Sequence, residues 1–190
     1  MAVMIYIVKI KRSISMLAFH NLGIGKLRLG SDLSSLGSVA PFGKSDAEYF
    51  IPAPDAQSWY RYIDDDLVIW GNGKSFNPRS IYLGVDERKQ LVKISIFPEP
   101  GTSVKVEGII NEVYEQTGML GDGGIRGLLG SNGADFKIWA PSDRKIMVTF
   151  FNPASNYLGP PVINMFFATV AEASRKQNLI YRSWKFLDRQ

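Results

Sequence analysis

The stretch SIYLGVDERKQLVKISIF, Ser80 to Phe97, sets the fold class. Two β-favouring runs, SIYLGV and LVKISIF, bracket a turn formed by Asp86, Glu87 and Arg88, the pattern of an antiparallel hairpin. Working upstream, SWYRYI (58–63) alternates, DDD at 64–66 makes a turn, and LVIW is apolar, so the expectation is a meander of antiparallel strands from Ser58 to Phe97. Further upstream, Met4 to Ile10 reads as a strand. Gly25 to Leu29 reads as a short strand feeding a short helix with Ser31 or Asp32 as its N-cap, and a loop follows to Asp55.

Downstream the period changes. Pro98, Pro100 and Gly101 end the sheet pattern, and Val106, Ile109, Ile110, Val113 and Tyr114 form an apolar stripe at helical spacing. The spacing predicts one main amphipathic helix over 103–117, with Gly118 placed to end it. FKIWA and KIMVTFF then read as two strands around Pro141, Ser142 and Asp143, and 152–161 as a Pro- and Gly-containing loop. VINMFFATVAEASRKQ has β-favouring residues at its front, yet Ile163, Phe166, Phe167 and Val170 are helix-spaced behind Pro161, so a further helix near 162–177 is the preferred reading. LIYRSWKF reads as a terminal strand. The fold class expected is therefore α+β, a single domain over 1–190. DLVIW at 66–70 and DFKIW at 135–139 also admit a duplicated helix-then-meander unit, with pseudo-repeat halves 22–100 and 101–190; a chance match in two apolar strands is the rival reading.

Bulk properties exclude several classes. At 190 residues, 45% apolar and 21% charged, the chain has the make-up of an ordinary globular domain. The absence of cysteine removes disulfides, thiolate metal sites and cysteine nucleophiles. No segment approaches the roughly 20 apolar residues of a membrane span. The N-terminus lacks the order of charges and cleavage site of a secretory signal, so the expected location is cytoplasmic, with no membrane partner. The net charge of +4 is concentrated towards both termini. A nucleic-acid-binding protein using these basic termini and strand aromatics is the first alternative function, although no cluster is dense enough to carry that reading.

Catalytic motifs are equally sparse. The single histidine, His20, rules out two-histidine metal motifs, and no serine lies in a nucleophile-elbow context. Asp64, Asp65 and Asp66 are the one carboxylate cluster; on an extended strand at most two share a face, and a solvated turn accounts for them. A metal- or phosphate-dependent enzyme built on Asp64–Asp66 is the second alternative. Glycines at 118, 121, 123, 124, 127, 130 and 133 match neither a P-loop, which needs a closing Lys-Ser or Lys-Thr, nor a dinucleotide fingerprint, which needs glycine where Arg126 stands. That segment reads as a mobile, hinge-rich flap. No catalytic residue, metal site or cofactor is assigned.

One further segment, GIGKLRLGSDLSSLG (Gly23 to Gly37), resembles the opening of a class of small bacterial proteins in which a Gly-Ile-Gly strand, an Arg-Leu-Gly turn and a short helix precede an antiparallel meander. Many of these look like immunity proteins encoded beside secreted or polymorphic toxins, and relatives occur as periplasmic lipoprotein modules. The resemblance implies a non-enzymatic toxin inhibitor of the cytoplasmic branch, whose partner is a cognate toxin encoded by the adjacent gene. The basic charge argues against a basic nuclease as target, since its inhibitor offers carboxylates. The matching glycines and leucines are structural in kind and carry over no functional residue. Partner-binding candidates come instead from the loops at 41–57, 71–79 and 152–161 and their neighbours: Trp59, Tyr60, Asp64, Asp65, Phe76, Arg126 and Tyr157.

Overall fold

In the computed structural model the described residues are 15–20, 22–48, 50, 52, 56–63, 67–71, 73–102, 106, 108–110, 135–139, 146–152 and 160–167, with backbone alone at 15, 16 and 135–139. Ser15–His20 forms β1, Gly23–Ile24 β2, Leu27–Arg28 β3, Val39–Pro41 β4, Ser58–Tyr62 β5, Leu67–Gly71 β6, Lys74–Phe76 β7, Pro78–Val85 β8, Leu91–Pro98 β9, Asp135–Trp139 β10, Ile146–Asn152 β11 and Val162–Phe167 β12. They make a five-stranded sheet in the order β3-β2-β1-β6-β7 and a seven-stranded sheet in the order β10-β11-β12-β9-β8-β5-β4. The β1–β6 pair is parallel and every other pair antiparallel.

The two sheets share one core. Leu17, Phe19, Ile24, Leu27, Ile69 and Phe76 from the smaller sheet meet Ile81, Leu83, Ile94, Ile96, Val148, Phe150, Ile163 and Met165 from the larger. Alternation along each strand delivers these side chains to one face, the condition for two sheets to pack. The chain between β3 and the first 3-10 turn (Leu33–Ser35) ties the sheets by backbone bonds, Gly30 N to Leu91 O, Leu91 N to Ser31 O and Leu33 N to Lys89 O. Asp32 caps that turn, its carboxylate accepting from the Ser34 hydroxyl and N–H, and both bonds hold its pKa below the usual value. At the β2–β3 turn, Gly25 has φ +53° and donates to Ala18 O at 2.7 Å, and a Cβ there would lie 2.6 Å from Leu17 Cδ2.

The β8–β9 hairpin forms where the sequence indicates. Asp86 Oδ1 accepts from the N–H of both Arg88 and Gln90 at 2.9 Å, which holds Lys89 at φ 63°. Other expectations are corrected. The described residues are built on two β-sheets, not an α+β arrangement around a main amphipathic helix. Within 103–117, Val106 and Gly108–Ile110 are helical, and Val106, Ile109 and Ile110 insert into the shared core as a fragment beside twelve strands. Val113, Tyr114, Gly118 and the glycine-rich segment lie outside the described residues.

The preferred helix at 162–177 is overturned at its front. Val162–Phe167 is β12, paired on one side with β11 and on the other with β9. Its core-facing Ile163 and Met165 are buried, and the apolar Val162 and Phe166 on the outward face break the polar alternation and imitate helical spacing. Residues 168–177 are outside the described set. The meander from Ser58 is also interrupted: β5 pairs with β4 and β8, whereas β6 crosses to the other sheet beside β1. DLVIW thus lies largely in an inner strand with a parallel neighbour and DFKIW in the terminal strand of the other sheet, so the two segments do not occupy equivalent places.

Candidate functional site

The face of the seven-stranded sheet turned away from the shared core carries an unusual pattern. Pairing registers place Arg61, Tyr82, Ser95, Asn164 and Thr149 in one row across β5, β8, β9, β12 and β11. The adjacent row is Trp59, Gly84, Lys93, Phe166 and Met147. On the other flank stand Phe97, Val162 and Phe151. A polar row thus runs between two largely apolar ones, and most of its members are buried.

At one end of this face, the segment after β4 covers the sheet with aromatic rings. Phe50 stacks on Tyr82 with centroids 4.7 Å apart and an interplanar angle of 11°, and meets Trp59 edge-on at 4.8 Å and Phe97 at 5.6 Å. Phe42 meets Tyr82 and Phe50 edge-on. Asp46, in the second 3-10 turn (Asp46–Glu48), holds the segment down. Its Oδ1 accepts from Arg61 Nη1 at 3.1 Å and from the Tyr82 hydroxyl at 3.3 Å, and its Oδ2 accepts from Gly43 N at 2.8 Å. Both carboxylate oxygens are committed, so this buried acid acts as a clamp. Burial pushes the Tyr82 phenol above its usual pKa, and the Asp46 charge pushes in the same direction.

Next to the aromatic cluster, Lys93 is buried with its ammonium 5.8 Å from the Trp59 ring centroid and 5.5 Å from that of Phe166. Gly84 makes room for the indole: a Cβ there would stand 2.8 Å from Ala56 Cβ and 3.2 Å from Trp59 Cη2. In the polar row, the Ser95 hydroxyl donates to Asn164 Oδ1 at 2.7 Å, while Thr149 Oγ1 is buried with no hydrogen-bond partner.

The outward face of the five-stranded sheet is different. Ala18, Trp70 and Ser75 lie side by side on β1, β6 and β7, and Trp70 is 40% exposed between two small neighbours. On the same strand as Ala18, His20 donates through Nε2 to Gly25 O at 2.9 Å and accepts at Nδ1 from Leu22 N at 3.2 Å. Nδ1 thus holds the β1–β2 turn at Leu22, and Nε2 the β2–β3 turn at Gly25.

The sequence-derived candidates scatter over this framework. Trp59 is buried in the aromatic cluster, Tyr60 packs partly buried against the shared core, and Phe76 is buried within that core beside Phe19. Asp64, Asp65, Arg126 and Tyr157 lie outside the described residues. Lys93, Ser95, Thr149 and Asn164 escaped sequence reasoning because only strand register brings them together. Among the described residues no three His, Cys, Asp or Glu side chains are grouped to hold a metal ion, and no helix is long and apolar enough to cross a membrane. Compared with known proteins, the chain matches no family model, no curated protein and no solved structure.

Proposed function

We infer that the chain is a non-enzymatic, cytoplasmic protein-binding protein, in its most concrete form an immunity protein that neutralises a bacterial toxin by occluding its active site. The observation carrying the binding reading is Trp70, a large aromatic side chain held 40% exposed on a rigid sheet face beside Ala18 and Ser75. An indole set among small residues offers wide contact area at low entropic cost, the character of an interface anchor. Supporting it, the buried acid nearest to a catalytic carboxylate in kind, Asp46, has both oxygens engaged in structural bonds.

The test is co-expression and pull-down with the product of the adjacent upstream gene, repeated with Trp70→Ala. The expected outcome is association at micromolar concentration or better, weakened by the substitution by about 2 kcal/mol or more, as for a central aromatic anchor. The melting temperature should stay close to wild type because the side chain is not part of the core. Failure to associate would remove the toxin reading; unchanged affinity in Trp70→Ala would remove this face from the interface.

A further inference from the structure

We propose that residues 43–48 and Phe50 form a latched strap, which lifts from the seven-stranded sheet as a unit while the strands beneath it stay paired, with Asp46 as the latch. The first observation is the backbone. It is bonded to the sheet on either side of the strap, by Phe42 N to Trp59 O at 3.0 Å and by Gln57 N to Val85 O at 2.8 Å. Between these, the bonds among the described residues are internal: Asp46 N to Gly43 O, Ala47 N to Lys44 O and Phe50 N to Asp46 O. The second is the polar grip. Among the described residues the bonds from strap to sheet both end on one atom, Asp46 Oδ1, which accepts from Arg61 and Tyr82. The Arg61 side chain is 45% exposed, so water replaces it with little loss.

The third is where the rings lie. Phe50 rests on Tyr82, Trp59 and Phe97, and those three form a cluster separate from the core shared by the two sheets. Lifting Phe50 breaks contacts in the small cluster and leaves the shared core intact, the condition for part of a structure to open below the free energy of global unfolding. Lys44, Ser45, Ala47 and Glu48 are exposed and add no buried apolar grip. Opening bares Trp59, Tyr82 and Phe97, so this end of the face has a closed form and an open, aromatic-lined form. Asp46 sets the balance between them. The strap is separate from the Trp70 face and does not rest on its role.

The experiment is native-state hydrogen exchange on the full chain. A lifted turn this short does not keep its own bonds, so the amides of Asp46, Ala47 and Phe50 report the opening. In the wild type their opening constants should agree within about threefold and exceed those of β8 and β9 by about a hundredfold or more. Asp46→Asn, which keeps the size and removes the charge, should raise strap exchange about tenfold or more. Val148→Ala weakens the shared core, which the open form retains. It should speed exchange in β8 and β9 about tenfold or more and leave the strap within about threefold of wild type. If Val148→Ala does not fold, urea below the unfolding transition takes its place, raising exchange in β8 and β9 and not in the strap. The proposal is overturned if the strap exchanges as slowly as β8 and β9, if its amides open independently of one another, if core weakening by Val148→Ala or urea speeds both regions equally, or if Asp46→Asn leaves strap exchange unchanged.

Discussion

Asp46 shows how much one side chain can hold. Replacing it with alanine leaves the Tyr82 hydroxyl and the Gly43 N–H without their acceptor and releases the segment that carries Phe42 and Phe50. A loss of about 2–3 kcal/mol is expected from leaving such donors unpaired, read as a lower urea midpoint. Arg61→Ala should cost at most about 1 kcal/mol, because the Arg61 side chain is 45% exposed and water screens the ion pair. Tyr82 adds a pH dependence of definite sign. Its folded pKa lies above the ordinary 10.0, so the folded state holds the phenolic proton more tightly than the unfolded chain does. That contribution is fully present below the unfolded value and is lost as pH rises through the folded one. The stability gap between wild type and Tyr82→Phe should therefore shrink above about pH 10, as followed by urea unfolding across the alkaline range. None of this was legible in GKSDAEYF, where Asp46 is one polar residue among several; its partners lie 15 and 36 positions away.

Among the elements, the β8–β9 hairpin and the β10–β11 pair were legible because both strands and their turn are contiguous in sequence. Strand β12 was not, since apolar Val162 and Phe166 on its outward face blur the alternation by which a strand is recognised. Its β-branched Val162 and Ile163 were the better signal, outweighed by Pro161 and an accidental helical spacing. Strand β6 was seen as a strand but given the wrong neighbour, for a parallel partner some fifty residues upstream leaves no local mark. Gly84 is the position at which β8 accommodates the indole from β5. Gly84→Ala should destabilise by about 1–3 kcal/mol, as overpacking does, and shift Trp59 fluorescence as the indole moves. An unchanged urea midpoint and spectrum would show that Ala56 and Trp59 yield freely.

For the whole molecule, protection should follow position in the larger sheet. Amides of β8, β9 and β12, each paired on both sides, should exchange slowest, and those of β3 and β4, short terminal strands, fastest; native-state hydrogen exchange measures this directly. The candidate site belongs to the same scale: Ser95 and Asn164 are 69 positions apart, and a single sequence contains no statement of strand register. The β1–β6 pairing carries one more consequence. Between those strands the chain visits the other sheet to lay down β4 and β5, so the smaller sheet closes across a long intervening segment that has its own partners to find. Loop-closure entropy must be met before that pairing is rewarded, which places its formation late and makes the approach to the native state slow, governed by topology more than by the strength of any one contact.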